Sequence, residues 1–488
     1  MRSTYLAAFV AGVLATTAGI VITGTTTAAA APAAAAVAHD DFNGDGYRDL
    51  VTAAPRATVD GKKGAGFVSV LYGSSSGLDT VHRLVLTQSS SGVPGTPEAG
   101  DSFGASVASQ DLDGDGYADL AIGAPGEDIG SATDAGGVTV VWGSARGLAG
   151  TASWLESHTL GEPSANEAYG TGLTAADVDA DGRPELAQVN GTDAVYVHGF
   201  GDSRTPQNPE QMYGLPTEDG FKPTGLTGAD YNKDGYADLI VTGTQPSLEY
   251  VQSRSALLRG TPDGLTLDRT FAGGTVGASG DINKDGYPDV VLGDPRILEH
   301  GEWDLSGGAV QVRYGSNLGL FGTNGEEPVT IFQQGQGGIP GTDESGDDFG
   351  SDVSLGDVNG DGYLDLAIGA QGESIGDLPD AGAVWLLRGS ARGITSTGVQ
   401  NFNQNTAGVP GAAEQGDLFG AQARLIDSNR DGRAELVTTA PDENVSEGFA
   451  WVFGATSAGP TANGSWSFGA AALGAPADEA HFGSAVAK

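Results

Sequence analysis

The sequence predicts an all-β fold: a seven-bladed β-propeller of four-stranded antiparallel blades, its ring closed by the C-terminal strand joining the N-terminal blade. Three observations carry that expectation. The pattern D-x-[DN]-x-D-G-x-x-[DE] occurs seven times, starting at Asp41, Asp111, Asp177, Asp230, Asp281, Asp357 and Asp427. Short runs of branched apolar residues with strand character flank the copies, and nothing beyond the N-terminal segment reads as a helix. The ends are complementary. The chain past residue 38 opens on an acidic loop with no strand before it, and the C-terminus, HFGSAVAK (481–488), has a Phe-Gly segment with no loop after it.

The elements follow in chain order. Arg2, the mostly apolar run Tyr5 to Ile22 and an alanine-rich stretch ending Ala36-Val37-Ala38 read as a secretory signal over 1–38, with the propeller over 39–488. The protein is therefore expected to be secreted, extracellular or associated with the cell surface. No second apolar stretch is long enough to span a bilayer. The repeat starts lie 70, 66, 53, 51, 76 and 70 residues apart, so seven units fill residues 39–488. In the second copy Phe103-Gly104 opens a short strand, and the acidic loop from Asp111 leads into DLAIGAP. GGVTVVWGS (136–144) is the third strand, GSARGL a turn, and Trp154 to Leu160 a weaker fourth strand. The first, sixth and seventh copies keep this order, while the fourth and fifth are shorter and lack the Phe-Gly pair. A four-stranded unit cannot bury both faces alone, whereas seven in a ring can.

The charge fits this picture and narrows the partners. The chain has 63 Asp and Glu against 23 Lys and Arg, a formal net charge of −40. That surplus repels nucleic acid and anionic membranes. There is no cysteine, so neither a disulfide nor thiol chemistry is available and something else must secure the loops.

The acidic loops supply a candidate. Alternate residues at positions 1, 3 and 5 converge, glycine at position 6 permits the sharp turn, the position 7 carbonyl adds an oxygen, and position 9 is acidic. Several oxygens around one small volume suit a hard cation such as Ca²⁺. The expected ligand sets, in that order, begin with Asp41, Asn43, Asp45, Tyr47 and Asp49 in loop 1, and Asp111, Asp113, Asp115, Tyr117 and Asp119 in loop 2. Loop 3 offers Asp177, Asp179, Asp181, Arg183 and Glu185, and loop 4 Asp230, Asn232, Asp234, Tyr236 and Asp238. Loop 5 offers Asp281, Asn283, Asp285, Tyr287 and Asp289, and loop 6 Asp357, Asn359, Asp361, Tyr363 and Asp365. Loop 7 offers Asp427, Asn429, Asp431, Arg433 and Glu435. Up to seven Ca²⁺ ions, one per blade, are expected. An EF-hand would need Glu at position 12, where Thr52, Ile122 and Ile368 stand inside strands, so the loops belong to hairpins between first and second strands.

Phe103-Gly104, Asp111 to Asp119 and Gly123-Ala124-Pro125 resemble the motif of the FG-GAP (VCBS-type) repeat family, whose best-known members are the propellers of integrin α-subunits. The resemblance covers essentially all of 39–488. It implies calcium loops on one face and partner binding on the other. In an antiparallel meander that other face carries the 2–3 and 4–1 connections: GVPGTPEAGD (92–101), GIPGTDESGD (338–347), GVPGAAEQGD (408–417) and the segments near Glu127 and Glu373. The expected partner is an extracellular protein or glycan.

Catalysis finds less support. Gly73-Ser74-Ser75-Ser76-Gly77 matches the nucleophile elbow G-x-S-x-G, but it occupies the turn that reads GSARG, GSNLG and GSARG in other copies, and Ser75 has no counterpart there. Histidines 39, 82, 158, 198, 300 and 481 show no metal-ligand spacing. Trp142, Trp385 and Trp451 are expected to pack between blades, and Trp303 to lie in a long connection within reach of a ligand. A lectin that binds sugars between blades is one alternative, and related propellers in polysaccharide lyases and a phospholipase keep a hydrolase or a lyase as another. A deep pocket with convergent His, Tyr, Lys or Arg would favour an enzyme.

Overall fold

In a computed structural model, residues 39–148, 150–157, 163–206, 211–216, 220–246, 251–295, 307–322 and 328–488 are described. The expected signal segment, His158, His300 and Trp303 lie outside them. The described strands form seven four-stranded antiparallel sheets, which we number as blades 1–7 in chain order. Blade 2 is representative, with strands Ser106–Gln110, Asp119–Ala124, Gly137–Val141 and Ala152–Leu155. Its fourth strand starts two residues before Trp154 and ends at Leu155, earlier than the sequence suggests.

Burial explains the composition of each strand. In blade 2 every residue of the second and third strands is buried, whereas the fourth strand is buried only at Leu155. The middle strands have a neighbouring blade on each face, so both faces must be apolar and the usual alternation disappears. Seven apolar clusters result, each drawn from two adjacent blades, including one that joins blade 7 to blade 1. Trp142 meets Phe200 of blade 3 edge-on at 5.2 Å. Trp385 and Trp451 lie in the clusters of blades 5–6 and 6–7, as expected of residues packed between blades.

The ends of the chain meet in blade 1. Its three N-terminal strands, Leu50–Ala54, Phe67–Leu71 and Arg83–Leu86, are completed by Ala485–Val486, which pairs antiparallel with the first of them (Thr52 with Val486, Ala53 with Ala485). That short strand takes the first-strand position, and the first strands of successive blades lie side by side around the axis. All seven blades line an axial cavity of about 390 Å³, from Ser109 and Thr174 through Thr227, Ser279 and Ser354 to Arg424 and Val486.

Helix is almost absent among the described residues. The exceptions are a 3₁₀ turn at Ala470–Leu473 and a four-residue turn at Glu443–Ser446. In the latter, Asn444, Val445 and Ser446 all have positive φ, so it is a left-handed turn that no helical pattern could announce.

Candidate metal centres

Acidic loops 2 to 7 each join a first strand to a second strand, as their hairpin placement requires, while loop 1 leads into Leu50–Ala54, whose first-strand partner comes from the C-terminus. In loop 2 the position 1 carboxylate of Asp111 organises the turn: Oδ1 accepts the Gly114 and Asp115 N–H groups (2.8 and 3.1 Å) and Oδ2 that of Gly116 (3.0 Å). Asp113 accepts the Asp115 N–H and Asp115 that of Tyr117. Gly116 sits at φ +95° with open space where a Cβ would stand, so backbone conformation alone demands glycine there.

Position 9 anchors the loop to its blade. Asp119 Oδ2 accepts the Leu112 N–H (2.9 Å) and Oδ1 the Gly143 N–H (2.8 Å), tying the loop to the turn between the third and fourth strands. Asp49, Asp289 and Asp365 make the same pair of bonds, to Phe42 and Gly73, Ile282 and Gly315, and Val358 and Gly389. Glu185 keeps the loop bond to Val178, and Glu435 holds the Ser428 N–H and hydroxyl together with Asn429. Burial pushes Asp49, Asp119 and Glu185 up to about 8, Asp238 and Asp289 to about 7, and Asp365 to about 6, where Arg388 holds it down.

Three loops bring three carboxylates within 4.8 Å of one another: Asp111, Asp113 and Asp115; Asp177, Asp179 and Glu185; Asp427, Asp431 and Glu435. Asp177 and Asp281 each bury an Oδ1 with no hydrogen-bond partner. All-oxygen donors, crowded carboxylates and orphaned oxygens fit a hard cation. In loops 1, 4, 5 and 6 the position 3 asparagine instead turns its Nδ2 toward the position 5 aspartate (2.9–3.0 Å).

Two features escaped the sequence. Arg204 of blade 3 donates to Asp113 (2.6 Å) and Asp115 (2.7 Å), placing a guanidinium across loop 2. Neighbouring loops also touch: a Cβ on Gly44 would meet the Tyr117 ring at 2.6 Å, and one on Gly114 would meet Arg183 at 3.2 Å. The position 7 residues therefore bridge adjacent loops. The turn glycine at Gly73, Gly143 and Gly389 follows the position 9 aspartate by 24 residues each time, a spacing that could have exposed the tie.

The Phe-Gly pair decides what kind of repeat this is. Phe103 is fully buried, and Gly104 packs so closely that a Cβ would lie 2.9 Å from both Ala53 and Val68 of blade 1. The FG-GAP repeat model matches residues 33–71, 103–141 and 349–387. The chain carries FG-GAP repeats. This chain is 31% identical to phosphatidylinositol-glycan-specific phospholipase D of Rattus norvegicus over 236 residues, 48% of this chain and 26% of that protein. The enzyme of the same name from Bos taurus is 35% identical over 231 residues, 46% of this chain and 25% of the relative. Integrin alpha-6 of Homo sapiens is 37% identical over 122 residues, 25% of this chain and 9% of the integrin. The chain thus spans about a quarter or less of the length of these relatives.

The catalytic candidates separate. Ser74 and Gly77 close the G-x-S-x-G segment into a turn, with Gly77 N–H donating to the Ser74 carbonyl (2.7 Å) and Ser74 Oγ to the Gly77 carbonyl (2.8 Å). His82 pairs with Asp79, His198 bonds Tyr169 and His481 pairs with Asp442, far apart in the ring. His39 lines the axial cavity with Arg48, Arg424 and Lys488. There Arg424 is paired with Asp40 (2.6 Å) and Lys488 with Asp352. No helix among the described residues is long and apolar enough to cross a membrane.

Proposed function

We propose that this protein is a secreted, Ca²⁺-stabilised propeller that recognises an extracellular protein or glycan through the face opposite its acidic loops. The observation that carries this reading is the segregation of the loops. All seven lie at one end of the blades, with carboxylates already drawn together in three of them. Positions 1, 3, 5 and 9 and the position 7 carbonyl would hold the ion in each loop. Bound Ca²⁺ supplies countercharge to carboxylates that burial otherwise disfavours. The chain's own part is to fix those oxygens through the backbone bonds at positions 1 and 9. Seven ions would change the formal charge from −40 to −26 (−40 plus seven times two).

The opposite end carries the long, glycine-rich connections, and loops on a rigid scaffold are where binding is usually built. The integrin relative supports recognition.

A thermal melt of the full chain in Ca²⁺ and in chelator, with bound metal counted, tests the loops. The expected result is several ions per chain and a large fall in Tm on chelation. No metal and no shift would sink it. Charge reversal at the exposed Glu98, Glu344 and Glu414 tests the face: loss of binding to a panel of matrix proteins and glycans, with metal content unchanged, is expected.

The phospholipase relatives and the axial cavity with His39, Arg48, Arg424 and Lys488 favour a hydrolase as the second reading. Turnover of glycan or phosphodiester substrates that is lost in His39→Ala would select it.

A further inference from the structure

The face opposite the acidic loops holds a second repeated constellation. At the boundary of blades 1 and 2, Gln88 Nε2 donates to Glu127 Oε2 at 2.6 Å. Gln334 and Glu373 do the same at blades 5 and 6 (2.6 Å), and Gln404 and Glu443 at blades 6 and 7 (2.5 Å). The two partners are 39 residues apart in all three pairs. An aspartate stands 26 residues before each glutamate, at Asp101, Asp347 and Asp417. It is fixed the same way each time, one oxygen accepting the N–H of Glu98, Glu344 or Glu414 (2.6, 2.9 and 2.6 Å). The backbone of each aspartate is bonded to the connection that carries the glutamate.

This arrangement leaves one atom unexplained. The glutamines are 3%, 1% and 2% exposed, yet each buries its Oε1 with no hydrogen-bond partner. Buried amide oxygens are rarely left so, and the same atom is orphaned at three independent boundaries. The aspartates are equally buried, and the carboxylates load one another. Asp101 lies close enough to Glu127, and Asp417 to Glu443, for their charges to interact. At each boundary two carboxylates stand beside a buried amide whose oxygen has no hydrogen-bond partner.

We propose that these three blade boundaries are a second class of cation site, at the opposite end of the blades from the acidic loops, in which the glutamine Oε1, the glutamate and the aspartate bind a hard divalent cation such as Ca²⁺. Rotating the glutamine amide by half a turn exchanges nitrogen and oxygen without changing its shape. Without the ion, Nε2 faces the glutamate as a donor. With the ion, Oε1 takes that direction and joins two carboxylates as a third oxygen ligand, the donor chemistry that Ca²⁺ accepts. The site bridges two blades, because the glutamine ends one blade and the glutamate belongs to the next. No sequence pattern in the acidic loops bears on it, so the two classes can fail separately.

The test is an anomalous difference map from crystals of the full chain soaked in Mn²⁺, together with a Ca²⁺ count on the wild type and on the variant Glu127→Gln/Glu373→Gln/Glu443→Gln. The expected map has a peak beside Gln88, Gln334 and Gln404 with each amide turned to present Oε1, and the variant holds three fewer ions per chain. Peaks at the acidic loops with none at the three boundaries, or an unchanged count in the variant, overturn the proposal. Should the variant fail to fold, the wild-type map decides alone. Peaks at the boundaries with none at the loops would uphold this site and overturn the loop reading above.

Discussion

Asp119 commits both carboxylate oxygens to backbone N–H groups, one in its own loop and one 24 residues away. Asp119→Ala therefore orphans two N–H groups and should cost about 2–6 kcal/mol, at about 1–3 for each buried group left unpaired. Urea denaturation checks it, and a loss below about 1 kcal/mol would mean that water replaces the carboxylate. Asp294 makes a different prediction. It is 1% exposed, bonded by the Ser253 hydroxyl, and burial pushes it up to about 7. Unfolded, it titrates in the ordinary carboxylate range. Between that range and 7 the folded state holds the extra proton, so its contribution is fully present in acid and is lost as pH rises through 7. Asp294→Asn should therefore raise Tm at pH 8 relative to the wild type, with the gain shrinking toward pH 5. A gain that grows in acid would reverse the assignment. The turn geometry of the loops was legible because alternation and a fixed glycine leave a pattern within nine residues. Arg204 was not, since it reaches Asp113 across 91 residues.

At the scale of the element, the Phe-Gly segment sets how closely blades approach. Gly104 holds φ at +93°, and a Cβ would fall 2.9 Å from Ala53 and Val68. Gly104→Ala should destabilise by about 2–4 kcal/mol, combining strained backbone with overpacking at the blade 1–2 boundary. Differential scanning calorimetry would show it as a lowered Tm. The strands themselves were read correctly where apolar runs are long, as in DLAIGA, which is buried throughout. The fourth strands were read less well. Arg83–Leu86 and Gln211–Gly214 lie at the rim, carry exposed residues and leave little apolar pattern. The left-handed turn at Asn444 to Ser446 had no signal at all, because a valine at φ +61° is imposed by the surrounding ring and not by local preference.

For the molecule as a whole, seven clusters shared between neighbours make every blade a partner of two others. The complementary ends anticipated the pairing of Thr52 with Val486. Deleting residues 481–488 removes the fully buried Phe482 together with Val486 and Ala487. A loss of at least about 3–5 kcal/mol is expected from the phenylalanine alone, and an unchanged melting temperature would show that this strand does not hold blade 1. The same pairing sets a timetable for biosynthesis. A strand at 50–54 must wait for one at 485–486, so while the ribosome is still adding the last blade, the first stands with an open edge. Six sheets can assemble as they emerge, but the first can be completed only after more than four hundred further residues have been added. During that interval its unpaired edge can be captured by another nascent chain, and the danger falls on the oldest part of the polypeptide, not the newest.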